Sequence, residues 1–97
     1  MNMKKINKDK LDKLLVKGAT LIDMRTPVQY RDAHLDNTTN LPFKNFLSYL
    51  LKHDKKTPIA LIVNSYELDN DDIVMIGKYA EQLQFEKLYT IEYHQAQ

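Results

Sequence analysis

The chain has no cysteine and no tryptophan, and only two glycines and three prolines. Without cysteine there is no disulfide, no thiolate-held metal and no mechanism that uses a cysteine nucleophile. So little glycine and proline leaves no linker, and no internal repeat or low-complexity tract is visible. An excess of charge of one sign is missing too, since 14 Lys plus Arg face 13 Asp plus Glu for a net charge of +1. That balance gives no general reason to expect nucleic acid or an anionic membrane as a partner. The longest wholly apolar run, Ile59 to Val63, is five residues, against the roughly 20 that cross a bilayer. Met1-Asn2-Met3-Lys4-Lys5 leads into polar sequence rather than the apolar region of a signal peptide. A cytoplasmic protein without membrane contact is the expectation.

What remains is 97 residues, 43% hydrophobic and 28% charged, which suits one domain over residues 1–97. Asn7 is placed to cap a helix over Lys8 to Lys17 with Leu11, Leu14 and Leu15 on one face, and Gly18 stands where a helix end favours positive φ. Ala19 to Met24 reads as a buried strand, and Thr26-Pro27 opens a short helix. Thr38 to Pro42 reads as a brief extended segment. Phe43, Phe46, Leu47, Leu50 and Leu51 then form the clearest helical stripe, and all five are expected in the core. Ile59 to Val63 has the continuous apolar pattern of a strand covered on both faces. An acidic loop, Asn64 to Asp72, precedes a helix with Ile73, Ile76, Ala80 and Leu83 inward, and Lys87 to Tyr93 makes a last strand. This alternation predicts an α/β domain with a mostly parallel sheet.

The order of elements and several fixed spacings resemble a rhodanese-like domain. Ala19-Thr20-Leu21-Ile22-Asp23-Met24-Arg25 is similar to that family's strand ending in Asp-x-Arg. Tyr30, Ala33-His34-Leu35 and Asn40-Leu41-Pro42 follow at the family's spacing, and Lys78 to Tyr89 resembles its helix, turn and strand after the active-site loop. The chain departs from the pattern at Gln29, where the family usually has Glu, at Ala33, where it has Gly, and at Asn37-Thr38, where it has Gly-Ala. The resemblance implies a doubly wound sheet with helices on both faces. It also implies a C-terminal helix that is short or missing, and an active-site loop after the fourth strand.

In active members of that family the loop begins with a cysteine thiolate that carries sulfur as a persulfide, cradled by backbone N–H groups and a basic residue. The equivalent here is Asn64, Ser65, Tyr66, Glu67, Leu68, Asp69, Asn70, Asp71 and Asp72. It has no thiol, so ordinary sulfurtransferase chemistry lacks its nucleophile. It has no glycine, and no Lys or Arg occurs from Thr57 to Gly77. Glu67, Asp69, Asp71 and Asp72 would instead repel an anion.

The ordinary role of Asn70, Asp71 and Asp72 is to cap the following helix and complement its dipole. The alternative is a surface that docks a partner; Tyr66 is either a contact anchor there or a ring folded down over the sheet. The spacing lacks the glycine and distal glutamate of a calcium loop, and three dispersed histidines without cysteine give no metal site. Ser65 is the one hydroxyl nucleophile near the expected site, but no sequence feature places His34, His53 or His94 beside it as a base. Asp23, Arg25 and His34 are candidate pocket residues. Their structural roles, charged bonds to neighbouring loops and order in the turn after the short helix, stand beside a retained binding role.

The expected function is a catalytically inactive rhodanese-like domain that binds another protein through the acidic loop, with no cofactor. Two alternatives stay open: a small stabilising subunit of a larger assembly, and a non-sulfur enzyme that reuses the pocket. The lysine-rich first helix opposite an acidic loop also leaves head-to-tail homo-oligomers open.

Overall fold

The computed structural model describes residues 3–67 and 70–97. Five strands form one sheet in the order β1-β5-β4-β2-β3. They are β1 (Lys4–Lys5), β2 (Thr20–Asp23), β3 (Thr39–Asn40), β4 (Ile59–Val63) and β5 (Leu88–Glu92). All pairings between these strands are parallel. The helices between and after them are α1 (Lys8–Val16), α2 (Pro27–Asp32), α3 (Phe43–Lys52), α4 (Asp71–Gln82) and α5 (Tyr93–Ala96). Leu68 and Asp69 lie outside the described residues, so the expectations for those two positions have no structural counterpart.

The double winding follows from the period of two in the strands. Ile59, Leu61 and Val63 of β4 point to a layer with Phe46 and Leu50 of α3 and Ile73, Ile76 and Ala80 of α4. Ala60 and Ile62 point the other way, to Leu11 of α1 and to Tyr93 and Ala96 of α5. Every residue of β4 is buried, which is why its sequence reads as an unbroken apolar run rather than an alternation. The C-terminal helix is indeed short, four residues, and Ala96 at its end is buried in this second layer.

Local chemistry sets the helix ends. The Asn7 side chain accepts from the Lys10 N–H at 3.0 Å, and Gly18 takes φ +90° just past the end of α1. Thr26 and Gln29 close a reciprocal capping box over α2. Asn70 caps α4 by accepting from the Ile73 N–H at 2.9 Å. In the turn between α3 and β4, the Lys56 backbone N–H, the Thr57 hydroxyl and nearby positive charge hold the Asp54 carboxyl below its ordinary pKa.

Two apolar residues expected on buried faces are exposed. Leu51 is 60% exposed and Leu15 38%, whereas Leu50 and Leu14 beside them are buried. A helix turns about 100° per residue, so the last leucine of each run is carried off the edge of the buried face. Each stripe is therefore narrower than its leucines suggest. The strand β1, which pairs with β5 through Lys4 and Lys5, is an element that the sequence did not announce, because both of its side chains are exposed.

The end of α4 holds strain. Gln84 sits at φ +66° while the Phe85 N–H reaches back to the Ala80 carbonyl at 2.9 Å. Glycine is the usual residue at such a left-handed turn, because a Cβ crowds the neighbouring carbonyl there. Gln84→Gly is expected to raise stability by about 1 kcal/mol, seen in thermal unfolding as a midpoint roughly 4–8 °C higher. An unchanged or lower midpoint would show that the turn is not strained.

Candidate functional site

The carboxyl ends of parallel strands form the usual site in such sheets, because the loops that leave them converge there. β2 ends at Asp23, which is fully buried, and Arg25 two residues on is 5% exposed. The Asp23 carboxylate accepts from the Arg25 backbone N–H at 2.9 Å, and from Nε and Nη2 of the same arginine at 3.1 and 2.8 Å. The same Nη2 also donates to the Ala33 carbonyl at 2.6 Å. The guanidinium carbon lies 3.7 Å from the centre of the Tyr93 ring on α5, a cation–π stack. Asn40 of β3 completes the arrangement, its amide donating to the Asp23 and Arg25 carbonyls at 3.0 and 2.9 Å. The ion pair thus ties β2 to the segment after α2 and to α5, and the Asn40 amide ties β3 to the backbone that carries the pair.

β4 delivers the loop. Asn64 follows Val63 directly and leads into a single 3-10 turn, Ser65–Glu67. The Asn64 backbone N–H and its side-chain amide both donate to Glu67 Oε1, at 3.0 and 2.8 Å. The Glu67 N–H returns a bond to the Asn64 carbonyl at 2.9 Å. That amide also lies 3.1 Å from the Tyr66 hydroxyl. Across the loop it pairs with Gln29 of α2, each amide donating to the other at 3.1 and 3.2 Å. The first backbone donor after β4 is therefore occupied by a carboxylate of the loop itself.

The other candidates are dispersed around this cluster. Tyr66 is 76% exposed, Ser65 is exposed, and Asp71 and Asp72 lie exposed in the first turn of α4. His34 stacks on Tyr30 with ring centres 3.9 Å apart, and its Nδ1 meets the Tyr30 carbonyl at 2.6 Å. Among the described residues no hydrogen bond joins His34 to Ser65. Nor do three His, Asp or Glu side chains there converge as a metal-holding group. No helix among them is long and apolar enough to cross a membrane. A separate open groove of about 830 Å³, bordered by Lys55, Lys56, Glu81, Phe85 and Lys87, lies beside the residues that lead into β4 and β5, at the other end of the strands.

Gln29, Asn40 and Tyr93 take part in the cluster although the sequence marked none of them as a site residue. Asn40 stood in the Asn40-Leu41-Pro42 segment of the resemblance, and Gln29 left a signal as an amide where the resembling family has a carboxylate. An amide supplies the donor that meets Asn64 Oδ1, which a carboxylate lacks.

No family sequence model matches the chain, and no curated protein sequence matches it. Solved structures do. A rhodanese-like domain protein from Staphylococcus aureus is 17% identical and superimposes with a TM-score of 0.71 over 98% of this chain and 92% of its own. A rhodanese-related protein from Thermoplasma volcanium gives 0.67 at 18% identity, over 93% of this chain and 84% of its own. The reduced CoADR-RHD of Bacillus anthracis gives 0.69 at 13% identity, with 94% of this chain matched to 15% of that longer one. The sheet order, the helices on both faces and these superpositions agree: the protein has the rhodanese-like fold.

Proposed function

We propose that this domain is silent in sulfur transfer and works as a protein-interaction module, with the segment from Asn64 to Asp72 as its contact region. The observation that carries the reading is the loop after β4. It contains no thiol, and its first N–H donor is taken by Glu67. A persulfide needs a sulfur nucleophile, and this chain has no cysteine anywhere. A serine route finds no support either, since the His34 Nδ1 is engaged with the Tyr30 carbonyl in its own turn.

What the loop offers is an exposed aromatic beside acidic side chains. Tyr66 projects from a turn fixed by hydrogen bonds, so little side-chain freedom is lost when it is covered. Glu67, Asp71 and Asp72 favour a partner with a basic contact surface, an attraction that salt weakens. The purified chain is expected to move no sulfur from thiosulfate to cyanide above a buffer blank. Crosslinking capture from cytosol of the source organism is expected to recover a partner with the native chain and to lose it with both Tyr66→Ala and Asp71→Asn/Asp72→Asn. Sulfur transfer above the blank, or equal recovery by all three chains, would sink the reading.

A second reading, a stabilising subunit of a larger assembly, is favoured by one feature. The adjacent helices α3 and α4 carry Leu51, Val74 and Met75 with 60, 40 and 53% of their surface exposed. On this reading sedimentation equilibrium shows a self-associating species that Leu51→Lys/Met75→Lys dissociates. A monomer at all concentrations would exclude self-assembly.

Within either reading the Asp23–Arg25 pair acts structurally, because its charges face each other and the protein rather than solvent. Asp23→Asn leaves a buried guanidinium without its counter-charge, which costs about 3–5 kcal/mol. Arg25→Lys gives up the two-pronged bond and the stacking. Both are expected to lower the urea midpoint sharply, and Asp23→Asn unfolding at the native midpoint would remove the pair from this role.

A further inference from the structure

The helix α2 is unusual in that none of its six residues is buried. Without an apolar face its order depends on polar attachments, and these can be named. Thr26 and Gln29 cap its start, the Tyr30 hydroxyl donates to the Thr38 carbonyl at 2.7 Å, and Gln29 is paired amide to amide with Asn64. Gln29 carries two of these at once. Its Oε1 accepts from the Thr26 N–H at 3.1 Å, closing the cap, and also from Asn64 Nδ2 at 3.2 Å. Asn64 is a hub in the same sense, because its amide serves Gln29, Tyr66 and Glu67 together. The cap of α2 and the turn after β4 therefore share atoms, although 35 residues separate Gln29 from Asn64.

We infer that the Gln29–Asn64 amide pair is a latch that makes α2 and the 64–67 turn one cooperative unit, so that whatever draws the Asn64 side chain away loosens the start of α2. Polar-held segments on the surface open well below the global unfolding free energy, and segments joined by shared bonds open together. The coupling is reciprocal: loosening α2 loosens the turn to the same extent. A partner that takes a hydrogen bond from Asn64 is thereby felt at α2, where Val28 is 56% exposed. The inference concerns the free protein and does not depend on any partner, so its failure leaves the interaction reading intact.

Amide hydrogen exchange on the folded chain tests it. Asn64→Ala cuts the latch and leaves the capping residues Thr26 and Gln29 themselves unchanged. It is expected to speed exchange at the Tyr30 and Ala33 N–H groups, which bond the Thr26 and Gln29 carbonyls, by about five- to tenfold, the scale of one or two net hydrogen bonds. Buried amides such as Ile62 and Ile76 are expected to keep their rates. Gln29→Ala is expected to speed exchange at the Asn64 and Glu67 N–H groups in return. Two gentler variants cover the case in which an alanine chain does not fold. Asn64→Ser and Gln29→Ser each keep a small neutral polar side chain and lose the amide pair, and each is expected to show a change in the same direction at the distant element. Faster exchange confined to 64–67 in the Asn64 variants, or to α2 in the Gln29 variants, would overturn the latch.

Discussion

The ion pair at the end of β2 is the constraint on which this end of the molecule depends. Asp23 is fully buried and Arg25 nearly so. A charge in that position is tolerable only when its bonding capacity is filled. The arginine reaches the Asp23 carboxylate, a carbonyl after α2 and the face of Tyr93 on α5. Asn40 then takes the carbonyls on either side. Four segments distant in sequence are brought to one point, the segment after α2 and α5 by groups that meet the guanidinium and β3 by an amide that meets the backbone on either side of the pair. The two-residue strand β3 and the four-residue α5 are too short to hold their places by ladder bonds or helix propensity alone.

A second polar centre stands beside the first and is built on different chemistry. Around Asn64 the groups are amides, a hydroxyl and one carboxylate, and they are satisfied by one another. Glycine-rich anion loops leave successive N–H groups pointing inward for a ligand. Here the first such donor meets Glu67, and the next described element, α4, is capped by Asn70. The polarity of Asn64 and Glu67 is spent on the shape of the turn. Among the described residues, Ser65, the ring of Tyr66 and the carboxylates at the start of α4 face outward, which favours the reading of contact with another molecule proposed above.

The sequence disclosed the framework where a single element determines the pattern. β4 shows as five apolar residues because both of its faces are covered, and α1, α2 and α4 show their starts because Asn7, Thr26 and Asn70 cap them through bonds spanning three residues. Leu15 and Leu51 misled because residue type does not report angular position at the edge of a stripe. The centre of the site was hidden for another reason. Arg25 with Tyr93, and Gln29 with Asn64, are contacts across many tens of residues between side chains that would be equally at home in solvent. No local periodicity encodes such a pairing. Arg25 and Asn64 were marked singly as candidates, but the amide at position 29 acquires meaning only with Asn64 opposite it.

The same geometry explains why restoring a thiol would not by itself restore a sulfur site. Asn64→Cys would place sulfur at the end of β4, but it would delete the amide that binds Gln29, Tyr66 and Glu67 together. The Glu67 carboxylate, now bonded to the Asn64 N–H and side chain, would lie against the new thiol. A like charge at that range disfavours the thiolate and raises the thiol pKa, whereas reactive cysteines sit beside cations or several free N–H donors. The nearby guanidinium of Arg25 gives no relief, being neutralised by Asp23 and covered by Tyr93. Nucleophile, counter-charge and open donors are separate requirements of one site. In this chain the Arg25 guanidinium and the first N–H donor after β4 are already engaged, with Asp23 and with Glu67.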